Sequence, residues 1–275
     1  MARPLEGVTV VKVGGELLET RTRAEALARA ISPMAVDGPL VIVHGGGREI
    51  DAECARRGLA KVAVDGLRVT DAATLEAVVA ALAGTINTRL VAALVLAGLR
   101  AVGLTGADAA SVRVAQAPAY RAADGRDVDL GLVGVPIRAH PPALLGDLVA
   151  LGYVPAMACL GTDSTGGLFN VNADTLAAHV AAGCGAARLL VAGGTAGVLD
   201  RDGATIDELT LAQADALVAD GTASAGMVAK LTACCDAVRA GVADVRIVLG
   251  SASTPLDHAP GTRIVGASGP SPLLG

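Results

Sequence analysis

The segment Asn170-Val171-Asn172-Ala173-Asp174 gathers polar side chains at a spacing that can do chemistry. In an extended chain, side chains two apart share a face. Asn170, Asn172 and Asp174 then line one side, with Val171 and Ala173 on the other. The run continues into Thr175-Leu176-Ala177-Ala178-His179-Val180, which reads as a helix. A strand-to-helix junction is where open α/β sheets hold their ligands. The competing reading makes Asp174 a plain helix cap, a position that Asp often takes.

Cations and glycine-rich turns elsewhere suit an anionic ligand. Lys12 lies in the β-branched run Val8-Thr9-Val10-Val11-Lys12-Val13, which Gly14 and Gly15 end. A lysine in a buried parallel strand is costly, but near the strand's carboxyl end it points at the ligand crevice. Otherwise it is a solvated edge-strand lysine. Pro39-Leu40-Val41-Ile42-Val43 is a second strand, running into His44-Gly45-Gly46-Gly47. Three glycines between strand and helix offer free amides with a helix dipole behind them. His44 there reads as a hydrogen-bonded turn histidine. Gly193-Gly194-Thr195-Ala196-Gly197, after the strand 187–192, is a second turn of this type. Arg68 presents a planar fork suited to a carboxylate, unless it is a surface arginine. Lys230 lies beside the apolar stripe Met227, Leu231, Cys234 and Val238 of a helix over 226–240, where it either snorkels or faces a site.

The elements that must position these groups alternate between strand and helix. That implies an α/β fold, a mostly parallel sheet with helices on both faces. Thr22-Arg23-Ala24-Glu25 and Thr210 with Gln213 have the capping-box pattern. Residues 113–140 read as hairpins or loops, and 261–265 as an edge strand. The apolar stretch 77–99 reads as buried helices broken near Gly84 and not as a membrane span. Aromatic residues make up 1% of the 275, so the core must be built from aliphatic side chains. A net charge of −5 without a basic stripe argues against nucleic acid as a partner. Five cysteines without a CxxC spacing suggest buried thiols in a reducing compartment, and the amino-terminal residues show no apolar signal region. No Walker A, GxSxG, HExxH or full GxGxxG motif is present, so nucleotide chemistry must use another cradle.

Taken together, VVKVGGELL at 10–18, VIVHGGGREID at 41–51, DGLRVTD at 65–71, FNVNADTLAAHVA at 169–181 and GMVAKLTACCDAVRAGV at 226–242 resemble the amino-acid kinase family, in the branch acting on N-acetyl-L-glutamate. The segments follow the family's order along nearly the whole chain. The resemblance implies an open αβα sandwich forming a single domain over 1–275. Within it, an N-lobe of about 1–168 is expected to bind the acyl amino acid and dimerise, and a C-lobe of about 169–275 to bind nucleotide. It implies transfer of a phosphoryl group from ATP, with Mg2+ bound to the nucleotide and no metal ligands from the protein. Lys12 and Lys230 match the lysines that steady the transferring group, and Asp174 the aspartate that holds them. Gly46, Gly47, Arg68 and Asn170 match acceptor-binding positions. Gly14, Gly15, Gly193, Gly194, Gly197 and Gly226, with the 193–199 and 222–226 stretches, match the nucleotide side. Few residues precede the first strand, whereas arginine-inhibited hexameric members carry an added helix there. A cytoplasmic homodimer insensitive to arginine is therefore expected.

Two departures stand out. Members usually carry a Ser/Thr-Asp pair where this chain has Gly193-Gly194, an absence that water or Asp200 could offset. The segment 250–260 is also shorter and less apolar than usual. The alternatives are a kinase for a related acyl amino acid such as acetylaminoadipate, or a non-catalytic sensor on the same fold. Members acting on carrier-bound aminoadipate usually have Gly-Gly-Ser where Gly45-Gly46-Gly47 stands here.

Overall fold

Aliphatic runs of strand length, buried on both faces, generate the centre of the molecule: TVVKV at Thr9–Val13, LVIVH at Leu40–His44 and RLLVAG at Arg188–Gly193 are almost wholly enclosed. Continuous apolar strands of this kind belong in a parallel sheet covered by helices. The computed structural model describes residues 7–138, 142–200, 202–219, 221, 225–250 and 254–266. The expectations for the amino-terminal residues 1–6, and for parts of the 222–226 and 250–260 stretches (222–224 and 251–253), lie outside these.

The central sheet has eight strands in the spatial order Glu208–Thr210, Gly261–Val265, Asp244–Leu249, Arg188–Gly193, Thr9–Val13, Leu40–His44, Val154–Ala158 and Ala101–Thr105. The six from Asp244–Leu249 onward are mutually parallel. Gly261–Val265 runs antiparallel to Asp244–Leu249, and Glu208–Thr210 follows its direction. Gly261–Val265 is therefore not the edge. The unexpected short strand Glu208–Thr210 covers it. Thr9–Val13 lies between Arg188–Gly193 and Leu40–His44, pairing Lys12 with Val191 and Val43. Lys12 is accordingly a central-strand residue near the carboxyl end, and the edge-strand reading falls.

Within the expected hairpins or loops of 113–140, the described residues 113–138 hold more order than that. Val114–Gln116 and Val133–Pro136 join Leu160–Thr162 and Leu168–Val171 in a second, four-stranded sheet. Ala63–Val64 with Leu67–Arg68, and Tyr120–Arg121 with Asp127–Val128, form two small hairpins.

Two helix expectations need correction. The first helix, Arg21–Ile31, is capped by Thr20, whose hydroxyl accepts from the Arg23 amide at 3.2 Å, so the box reading at Thr22 is displaced by two residues. Met34 belongs to a separate turn, Met34–Asp37. Gly84 does not break the apolar stretch. Residues 72–96 form one helix whose middle, Ala80–Ile86, widens into a π turn. By length and composition this helix could cross a membrane. Here Leu82, Ile86, Leu90 and Leu94 are fully buried in the core against the sheet. The Thr210–Gln213 box forms as expected: the Thr210 amide donates to Gln213 Oε1 at 2.9 Å and the Gln213 amide to Thr210 Oγ1 at 3.3 Å.

Candidate active site

Alternation along Thr9–Val13 puts Val11 and Val13 on one face of the sheet and Lys12 on the other. The helix Ala173–Cys184 covers that second face near Lys12. Its cap is Asn172, not Asp174: Asn172 Oδ1 accepts from the amides of Asp174 at 2.9 Å and Thr175 at 3.1 Å. With capping done by Asn172, the Asp174 carboxylate is left for Lys12, whose Nζ lies 2.9 Å from Asp174 Oδ1. Their side chains are only 6% and 8% exposed. Breaking such a buried pair by removing one partner typically costs about 3–5 kcal/mol, because it strands the other charge. The first-turn position of Asp174 adds stabilisation from the helix dipole.

The glycine turns meet beside this pair. The Gly14 amide donates to Ala192 O at 3.0 Å and the Gly45 amide to Val13 O at 3.3 Å, so both turns are extensions of the parallel ladder. A Cβ on Gly15 would lie 2.8 Å from Gly46 Cα and 3.2 Å from the Gly46 and Gly47 nitrogens. A Cβ on Gly45 would lie 3.2 Å from Ala173 Cβ, at the start of the Asp174 helix. At Gly15 glycine is required by close approach of backbone to backbone. Gly15→Ala is expected to lower the thermal midpoint, at a cost of about 1–3 kcal/mol. It should also raise KM for both ligands that the resemblance implies, since it separates the two turns expected to hold them. Thermal unfolding beside steady-state kinetics checks this.

On the other side of Lys12, Lys230 rises from the second turn of the helix Ala225–Arg239. Its Cε lies 3.6 Å from the position of a Gly193 Cβ, and its Nζ reaches Gly226 O at 3.4 Å. Cys234, one turn further, is buried within electrostatic reach of Asp174, Lys12 and Lys230. The three charged residues thus share one neighbourhood. Among the described residues, Asp174 is paired with Lys12 alone, while Lys230 rests on its own helix.

Glu16, absent from the sequence-based site, lies between Gly14 and the Gly193-Gly194 turn. Gly194 donates its amide to Glu16 Oε1 at 2.9 Å, and the same oxygen lies 3.3 Å from a Gly193 Cβ position and 2.5 Å from one on Gly14. Its only sequence signal is an acid directly after Gly14-Gly15. Asp200 does not fill the place of the missing acid, because its carboxylate accepts from the Asp202 and Ala204 amides of its own turn. A cleft of about 380 Å³ opens here, lined by Glu16, Arg23, Arg48, Gly194 and Gly250. Gly197 serves packing: its φ is +86° and a side chain there would strike Thr262.

Arg68 comes from the hairpin strand Leu67–Arg68 and is mostly enclosed. Its Nη2 donates to Gly47 O at 3.3 Å and pairs with the Asp51 carboxylate. Asn170 Nδ2 donates to the buried Thr70 hydroxyl at 3.3 Å. Arg68 is thereby aimed beside the Gly46-Gly47 turn, with Asn170 tied to the segment two residues on. Asp51 and Thr70 were not read from sequence, because their partners lie far along the chain.

His44 is fully buried, and burial pushes its ring down to about 4, partly offset by its bond to Gly45 O. It is neutral near pH 7 and outside acid–base use. Unfolding returns it to its ordinary value of 6.5. Between these values the unfolded chain takes up a proton that the folded chain refuses. Stability from this group is complete above about pH 6.5 and falls by about 3 kcal/mol as pH drops towards 4. Urea unfolding across that range should show the loss, with a shallower slope in His44→Asn.

Residues 7–249 match the model of the amino acid kinase family. The acetylglutamate kinase of Acidiphilium cryptum is 41% identical over 246 residues, covering 88% of this chain and 82% of that protein. That of Chloroflexus aurantiacus is 42% identical over 242 residues, covering 88% and 91%. Among solved structures, N-acetylglutamate synthase from Neisseria gonorrhoeae, complexed with coenzyme A and N-acetyl-glutamate, aligns with a TM-score of 0.78 at 26% identity, covering 98% of this chain and 61% of that one.

Proposed function

The chain belongs to the amino acid kinase family, and from that premise we propose that it transfers the γ-phosphoryl group of ATP to the side-chain carboxylate of N-acetyl-L-glutamate, the second step of arginine biosynthesis. The observation that carries the reading is the buried Lys12–Asp174 pair at the carboxyl end of the central strand, set among three glycine turns.

A carboxylate oxygen of the acceptor forms a bond to the γ-phosphorus, and the bond from that phosphorus to the bridging oxygen breaks, releasing ADP. The acceptor is already an anion at neutral pH, so no general base is needed. The barrier lies in bringing two anions together, and loose phosphoryl transfer responds chiefly to positioning and positive charge. Lys12 and Lys230 supply that charge. Asp174 fixes the direction of Lys12 and limits repulsion between the ammonium groups. Gly46, Gly47, Arg68 and Asn170 hold the acceptor, with Asp51 orienting the Arg68 fork. Gly14, Gly15, Gly193, Gly194 and Gly226 form the nucleotide side, and the Gly194 amide, already donating to a carboxylate, is suited to an oxyanion. Gly197 shapes that turn from behind. Mg2+, which binds largely through phosphates and waters, adds positive charge when bound with the nucleotide.

The reading extends to a cytoplasmic homodimer. Five buried free cysteines suit a reducing compartment. The exposed Val95 and Leu96 at the end of the long apolar helix offer area to a second copy. Sizing chromatography tests the dimer. Activity is tested by ADP release from MgATP with N-acetyl-L-glutamate, run beside acetylaminoadipate, free glutamate and UMP. Release that depends on N-acetyl-L-glutamate is expected; no release with any acceptor would leave a sensor on the same fold.

A further inference from the structure

His44 does no proton chemistry, yet the fold builds an apparatus around it. It is the last residue of the strand Leu40–His44, and it is wholly enclosed in an apolar core. Its Nδ1 lies 3.2 Å from Gly45 O, and its Nε2 lies 3.0 Å from Asn87 Nδ2. The Asn87 amide also donates to Ala156 O at 2.8 Å, on the neighbouring strand. A carbonyl only accepts and an amide nitrogen only donates, so the ring proton belongs on Nδ1 and the lone pair on Nε2. Every polar atom of the ring is used, as a buried polar group requires.

Asn87 reaches this position by two irregularities. It follows directly on the π turn Ala80–Ile86. A π turn inserts a residue and swings the following helix by about 100° relative to a regular one. Gly103, on the edge strand Ala101–Thr105, also has to lack a side chain, because a Cβ there would coincide with Asn87 Oδ1. The residue just before Asn87, Ile86, fills the space where a Gly46 side chain would be, with Leu82 alongside. The π turn therefore presents a polar clamp to Gly45 and an apolar floor to Gly46 at one point.

We propose that His44 and Asn87 are positioning residues for the acyl-amino-acid acceptor: by holding the Gly45 carbonyl inward they set the direction in which the Gly46 and Gly47 backbone faces the acceptor. This rests on the assignment of Gly46-Gly47 to the acceptor side. Neither residue touches a substrate. Their effect is on the turn alone, so it falls on acceptor binding and spares the nucleotide side.

Two replacements of His44 separate the two bonds. Asn at 44 can still donate to Gly45 O, as Nδ1 does, whereas Gln places its amide nearer the Nε2 position. His44→Gln is expected to raise KM for N-acetyl-L-glutamate about tenfold, the scale of one lost buried hydrogen bond, with KM for ATP within about twofold. His44→Asn is expected to restore acceptor KM to within about threefold of wild type. Gly103→Ala displaces Asn87 with no substitution in the turn itself, leaves the His44 ring untethered, and is expected to raise KM for N-acetyl-L-glutamate selectively by about three- to tenfold, which keeps the test open if His44→Gln does not fold. A folded His44→Gln or Gly103→Ala protein whose two KM values rise together, or whose acceptor KM is unchanged, overturns the inference. Wild-type enzyme without acceptor-dependent ADP release would instead overturn the function reading on which it rests.

Discussion

Lys230→Ala is expected to lower kcat by about 10²–10³ while KM for ATP and for N-acetyl-L-glutamate shifts only a few-fold. The lysine is half-buried, its ammonium rests on Gly226 O, and no ion pair with Asp174 draws it inward in the free protein. In the proposed reaction its charge is thus available to the phosphoryl group as charge redistributes in the transition state. Removing it should do little to stability, since it leaves no buried carboxylate without its only partner. Unfolding midpoints matching wild type, beside a large kcat loss, are the expected combination. A loss confined to KM would show that Lys230 serves ground-state binding.

Lys12→Ala is expected to give a similar kcat loss with a second consequence. Asp174 sits at 2.9 Å and is nearly inaccessible, so truncating Lys12 strands a buried charge. Stability should fall by about 3–5 kcal/mol, a large share of a typical domain's total. Asp174→Asn should show the converse, with Lys12 uncompensated and its direction lost. In the double variant Lys12→Met with Asp174→Asn, neither charge is stranded, and stability should recover above both singles although activity does not. Chemical denaturation of wild type, Lys12→Met, Asp174→Asn and the double variant gives this cycle directly. Additive losses would mean that the two residues do not act as a pair.

How far these groups could be read from sequence depends on the range of the interaction. The β-branched run carrying Lys12 and the glycines that end it are local patterns, so both the strand and the turn were legible. The polar alternation at 170–174 was legible as a ligand-facing junction. Local pattern could not decide whether Asn172 or Asp174 caps the helix, because both types cap well and the choice is made by Lys12, distant in sequence. Glu16 on the Gly194 amide spans 178 positions and follows no motif. Asn87 against His44 depends on a π turn, which an apolar helical pattern does not announce. Gly84 read as a breaker because glycine is a poor helix former, but burial of Leu82 and Ile86 on either side overrides that preference. The edge assignment of Gly261–Val265 failed for a related reason: Glu208–Thr210 is too short to stand out from a loop.

In the proposed reaction Lys12 and Lys230 act on the transferring phosphoryl group and not on the bound substrates. The most direct measurement is calorimetric binding of ADP with aluminium fluoride in the presence of N-acetyl-L-glutamate, a transition-state mimic, compared with ADP alone, for wild type and Lys230→Ala. The variant is expected to lose about 10²–10³ in affinity for the mimic while its affinity for ADP stays within a few-fold. Equal losses for the mimic and for ADP would contradict it.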